Sequence, residues 1–107
     1  MKEMFEELVD GILTLMCDQL VSIVLYGSVA RGTDTPESDV DIAVFVLERL
    51  NEMAEDRLSD VVVDMNLKYD KVFSVIDIDD ALYQKWKEVT PFYRHVDEDG
   101  IVLWTAA

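Results

Sequence analysis

A chain of 107 residues, half of them hydrophobic and 30% charged, has the composition of a globular protein and room for one core, so a single domain over 1–107 is expected. Its formal charge of −14, from 23 acidic against 9 basic side chains, argues against nucleic acid as a partner, because that affinity is drawn from Lys and Arg. One cysteine, Cys17, rules out an internal disulfide framework or a cysteine-type zinc site, and no apolar run reaches the roughly 18 residues of a membrane helix.

No basic leader precedes the first helix-like segment, so a cytoplasmic protein is expected. The acidity itself has two readings, plain solubility or complementarity to a basic protein partner. In chain order, Phe5, Leu8, Ile12 and Met16 recur at helical spacing and predict an amphipathic helix over 2 to about 19, with Cys17 as a buried, inert thiol. Gly11 falls inside that pattern and costs it about 1 kcal/mol relative to alanine. Residues 21–26 form an apolar run broken only by Ser22, the pattern of a strand in the middle of a sheet. Residues 28–38 are turn-rich, with a short helical turn over 28–31 as one reading, and 39–47 read as a second strand. Its alternation sets Ile42, Val44 and Val46 on one face and Asp39, Asp41, Ala43 and Phe45 on the other.

From about 48 to 69, Leu50, Met53, Leu58, Val61 and Met65 predict a long helix, while the run Val61-Val62-Val63 leaves a strand over 60–65 as the alternative. Residues 72–78 read as a third strand, and Asp79-Asp80 as the cap of a helix carrying Leu82, Trp86 and Val89. Thr90-Pro91 breaks or restarts that helix. Phe92, Tyr93 and Val96 bury the next turn, 98–100 form a loop, and 101–104 are a fourth strand. The aromatics Trp86, Phe92, Tyr93 and Trp104 read as core, and His95 as a surface imidazole.

The segment between the first two strands carries the chemistry. Asp39 and Asp41, one residue apart at a strand head, point the same way about 7 Å apart along the backbone. Two such carboxylates suit a divalent cation, with water and a ligand phosphate filling its remaining positions. Gly27 and Ser28 end the preceding strand, where glycine lets backbone approach a ligand and N–H groups with the Ser28 hydroxyl can hold a phosphate.

Gly27-Ser28, ten intervening residues and Asp39-Val40-Asp41 resemble the signature of the DNA polymerase β-type nucleotidyltransferase superfamily, and the short chain resembles its minimal members. The close of the chain, from Pro91-Phe92-Tyr93 to Trp104, is similar too. The resemblance implies an α/β (α+β), nucleotidyltransferase-like fold with a small mixed sheet of about four strands flanked by helices. It implies nucleotide binding at Gly27 and Ser28, with Arg31 and Ser38 where many relatives carry a basic residue and a serine. It implies Mg²⁺ on Asp39 and Asp41, with ATP or another triphosphate as donor. Small relatives are commonly antitoxins of toxin-antitoxin pairs whose partners are HEPN-type ribonucleases, and some modify a tyrosine of that partner.

The resemblance also implies a third carboxylate on the neighbouring strand. Asp77 is the candidate, yet many relatives carry the acid nearer the strand's beginning, where this chain has Ser74. An odd separation prevents a regular strand from aiming both at one site. Three readings stay open: Asp77 as catalytic third acid, Asp77 as an ordinary polar residue, or no third acid. Two functions follow, an Mg²⁺-dependent nucleotidyltransferase acting on a hydroxyl of a protein partner, or a catalytically impaired nucleotide- or partner-binding module of the same fold.

Overall fold

The structure, a computed structural model, describes residues 2–106. Helix α1, Lys2–Met16, lays Met4, Leu8, Ile12 and Met16 along one buried stripe. Burying such a side chain contributes about 1.5–3 kcal/mol. The helix stops short of the expected residue 19. Cys17 takes a left-handed φ of 49° and opens a 3-10 turn, Cys17–Gln19, whose geometry turns the thiol outward. Cys17 is therefore exposed rather than buried, its thiol donating to the Thr14 carbonyl at 3.4 Å.

Strand β1, Leu20–Tyr26, leads into a five-residue helix α2, Gly27–Arg31, and strand β2 follows over Val40–Val46. Helix α3, Glu52–Tyr69, begins at Asn51, whose side-chain oxygen accepts from Ala54 N–H at 2.8 Å. The valine run stays helical because Val61 and Val62 pack against the core beside the buried Leu58 and Met65, and tertiary burial overrides the local preference. Gly11 has its explanation at this contact. A Cβ there would sit 3.2 Å from Val61 Cγ1, so the missing side chain lets α1 and α3 approach closely.

Strand β3, Phe73–Asp79, ends on Asp79, whose carboxylate caps α4, Asp80–Trp86, by accepting from Ala81 and Leu82 N–H. Pro91 starts α5, Pro91–Asp99, which takes in two residues expected in the loop, and Gly100 caps it before β4, Ile101–Thr105. The sheet order is β3-β2-β1-β4, with β2 and β3 parallel and the other pairs antiparallel. This is the mixed four-stranded sheet the resemblance implies.

Helices cover both faces. Val40, Ile42, Val44 and Val46 join α1 and α3 in one apolar cluster, while Ala43, Phe45 and Ile78 join Tyr83 of α4 and Val96 of α5 in the other. The alternation read along β2 is the alternation found. The aromatics divide differently from expectation: Tyr83 is buried, but Trp86 and Phe92 are 45% and 42% exposed, since α4 and α5 are short and cover only part of that face.

Candidate functional site

Antiparallel pairing sets Tyr26, the last residue of β1, opposite Asp41, and parallel pairing sets Ser74 opposite Asp41 on the other side. Three chain segments therefore meet at one end of the sheet. Gly27 makes the approach possible. Its φ is 78°, and a Cβ there would overlap Asp41 Oδ2 and lie 3.1 Å from Asp41 Cγ, so the carboxylate rests directly against bare backbone. The short helical turn that the sequence offers over 28–31 is present and starts one residue earlier, at Gly27, with Ser28 in its first turn, where N–H groups lack intrahelical acceptors.

Asp39 lies one residue ahead of β2 and is exposed, while Asp41 is half-buried. Burial raises the Asp41 carboxyl above the usual carboxylate range, the nearby Asp39 charge raises it further, and Arg31 acts in the opposite sense. Tyr26 is raised by burial and by the Asp41 charge. The two acids thus repel each other at one spot, as the one-residue spacing implies.

Arg31 reaches this field from α2 while its guanidinium donates to Asp99 at 3.2 Å, tying α2 to α5. That link across 68 positions left no mark in the sequence. Ser38 is engaged locally. Its Oγ accepts from Thr35 N–H at 2.9 Å and closes the turn that delivers Asp39. Asp39 also lines a cavity of about 340 Å³ with Asn66, Leu67, Lys71 and Val72 from the end of α3 and the approach to β3.

The structure does not bring Asp77 to the acid pair. Asp77 lies opposite Val44, whose side chain belongs to the α1 and α3 face, and its carboxylate neighbours Glu55 of α3, whose carboxyl it raises above the usual range. Ser74, Ile76 and Ile78 alternate onto the Asp41 face instead. Among the described residues, no cluster of three or more His, Cys, Asp or Glu could hold a metal ion.

Sequence reasoning missed the role of Tyr26 and took Phe92 as core, the alternative for it being a base-stacking platform. Phe92 meets the Tyr26 ring edge-on with centroids 5.7 Å apart, and Tyr26 is itself the β1 partner of Asp41. Tyr26 could have been found, because the residue before Gly27 must pair with the head of β2 once the two strands are antiparallel. Phe92 could not, since its place depends on the packing of α5.

The donors at this end are hard oxygens: two carboxylates, the Ser74 and Ser28 hydroxyls and backbone groups. This set fits a magnesium ion, and a cation between Asp39 and Asp41 would offset the burial that chiefly raises Asp41 and the Asp39 repulsion that adds to it.

Residues 9–96 match the model of the nucleotidyltransferase domain family. A candidate protein adenylyltransferase of Methanocaldococcus jannaschii is 32% identical over 99 residues, which cover 92% of this chain and 93% of that protein. Among solved structures, a chain of a toxin-antitoxin crystal structure with AMP-PNP superposes with a TM-score of 0.65 at 23% identity, covering 95% of this chain and 73% of that one. A chain of the complex of tri-AMPylated Shewanella oneidensis HEPN toxin with MNT antitoxin gives a TM-score of 0.58 at 21% identity, covering 99% of this chain and 74% of that one. At these identities the structural likenesses establish the fold.

Proposed function

The chain belongs to the nucleotidyltransferase domain family and is a nucleotidyltransferase, and from that premise we propose that it moves AMP from ATP onto a hydroxyl of a partner protein. The observation that carries this reading is the Asp41 carboxylate held against Gly27 backbone, with Asp39 beside it and Ser74 opposite. Asp39 and Asp41 would hold Mg²⁺, and the Gly27-Ser28 start of α2 would hold the phosphates. Mg²⁺ bound there supplies neutralisation of triphosphate charge. In the transfer, the acceptor oxygen attacks the α-phosphorus, the bond to the leaving pyrophosphate breaks, and the hydroxyl proton passes to water.

Arg31 enters as a positioning residue, since Asp99 holds it while its charge acts on Asp41. Ser38 shapes the turn before Asp39. Asp77, turned toward Glu55, takes no part. The relative named as a candidate protein adenylyltransferase supports a protein acceptor, and the neighbours solved with AMP-PNP and with an AMPylated HEPN toxin support ATP and a HEPN-type partner. The −14 charge suits a basic partner surface and not a nucleic acid. A donor and partner of that kind support a cytoplasmic setting, and no helix among the described residues is long and apolar enough to cross a membrane.

Labelled ATP, Mg²⁺ and the product of the adjacent gene test the reading. Label on the partner that Asp39→Asn abolishes is expected; an unlabelled partner with wild type and variant alike would sink it. Ser74 favours one second reading, a module that binds the nucleotide without turnover, because the position opposite Asp41 holds a hydroxyl where a third acid would stand. Calorimetric binding of ATP and Mg²⁺ without pyrophosphate release would select it.

A further inference from the structure

In-line transfer at phosphorus needs the attacking and leaving oxygens on opposite sides of the transferred group. The strand with the acids at its head, β2, lies between β1 and β3. Gly27 and Ser28 follow β1 directly, so a triphosphate held there sends its leaving end toward β1 and α2. The flank toward β3 is left for the attacking oxygen. On that flank lies the cavity of about 340 Å³ that Asp39 shares with the end of α3. Its wall is fixed by the turn into β3. Asp70 ends α3 with a left-handed φ of 50°, Asn66 Oδ1 accepts from Phe73 N–H at 2.8 Å, and Val40 N–H donates to the Val72 carbonyl at 2.8 Å. The last bond ties the wall to the residue between Asp39 and Asp41. Leu67 and Val72 line this cavity yet are 79% and 56% exposed, and among the described residues no large hydrophobic side chain is more exposed than Leu67. Around them Glu37, Asp39 and Asp70 outnumber Lys71.

We propose that this cavity seats the acceptor: a hydroxyl side chain of the partner protein, carried on a segment with apolar and basic residues beside it. The inference rests on the transferase reading above and assigns the acceptor's side of that site. Apolar neighbours of the hydroxyl cover Leu67 and Val72, and basic ones face Glu37 and Asp70. The hydroxyl oxygen then stands beside Asp39 and attacks the α-phosphorus from the β3 flank. The bond to pyrophosphate breaks toward Gly27, and the hydroxyl proton goes to water. The lining disfavours other occupants. A triphosphate would face three carboxylates with Lys71 alone to answer them, and a second copy of this chain would bring its own −14 to the same acids.

Leu67→Lys removes apolar cover and sets a like charge against a basic segment, and Glu37→Lys reverses a charge at the rim. Ile101→Lys adds the same charge as Leu67→Lys at the opposite border of the sheet. All three positions are exposed, and circular dichroism verifies that each variant is folded. With labelled ATP and Mg²⁺ at saturation, KM for the product of the adjacent gene should rise about tenfold in Leu67→Lys and in Glu37→Lys. Calorimetric ATP affinity should match wild type, and Ile101→Lys should change neither quantity. A KM unchanged in the first two variants, or raised as much by Ile101→Lys, overturns the proposal and leaves the transferase reading standing. Where wild type transfers no label, that reading falls and hydrogen exchange decides the proposal. Slowed exchange over 66–72 on adding the partner, relieved in Leu67→Lys, keeps the partner in this cavity. Slowing elsewhere only, no slowing, or slowing of 66–72 by ATP and Mg²⁺ alone overturns it.

Discussion

Asp39 with Asp41 at the head of β2, and Glu55 with Asp77 across the α3 and β3 contact, are both pairs of acids held close enough to disturb one another. In the first pair burial is the larger influence and the Asp39 charge adds to it, with a glycine backbone and serine hydroxyls alongside. In the second the neighbouring Asp77 carboxylate is the larger influence and raises Glu55 above its usual range. Asp77 is separated from Ser74 by two residues, and strand alternation alone puts them on opposite faces.

Neutralising each pair in turn is the strongest way to break the comparison. Asp39→Asn and Asp41→Asn should each lower AMP transfer by about 10²–10³-fold, the scale of losing a main electrostatic group at a reacting phosphate. Asp77→Asn should stay within about twofold. Initial rates with labelled ATP decide it, and an Asp77→Asn rate as low as that of Asp41→Asn would return Asp77 to the site.

Two glycines sharpen the claim about Gly27. Gly27 and Gly32 have nearly the same φ, 78° and 75°, but a Cβ on Gly32 meets nothing within 4 Å, whereas on Gly27 it runs into Asp41. Alanine costs about 1 kcal/mol at either position for the left-handed backbone alone. At Gly27 the overlap adds to that, so Gly27→Ala should lower Tm by about 5–15 °C and Gly32→Ala by less than half as much. Equal losses by calorimetry would mean that the Asp41 contact is unimportant.

Ser74→Asp converts the hydroxyl opposite Asp41 into a third acid of the kind that the resemblance implies. Divalent-cation affinity, read by Mn²⁺ titration, should rise about tenfold, and Tm in chelator should fall because three carboxylates then converge without a counter-ion. Unchanged affinity would show that the β3 residue opposite Asp41 does not face the cation.

The sequence displays these features to different degrees. Strand faces in β2 and the Gly27-Ser28 to Asp39-Val40-Asp41 pairing of turn and acids were legible, because alternation and backbone permissiveness are local properties. Cys17 was misplaced because one left-handed φ ends α1 early, a choice that helical spacing does not encode. The choice between Ser74 and Asp77 needed the register of β3 against β2, which the length of α3 and its packing decide. Arg31 with Asp99, and Phe92 with Tyr26, are contacts between distant segments and exist only after α5 has docked.

The smallest expected effect concerns the second pair's response to pH. Glu55 has its carboxyl raised in the fold above the ordinary value of 4.5, chiefly by the neighbouring Asp77. The folded chain therefore holds that proton more tightly than the unfolded chain does. The resulting stability is fully present below the unfolded value and is lost as pH rises through the raised one, a change confined to the mildly acidic range just above 4.5. Asp77→Asn removes the charge that Glu55 must face when it ionises, so this fall should shrink. Because Glu55 is exposed and its interaction with the half-buried Asp77 is screened by solvent, the gain at pH 7 should be about 1–3 °C in Tm. A variant less stable than wild type at pH 7, with the same acidic-range slope, would mean that Asp77 contributes through a contact other than the Glu55 carboxyl.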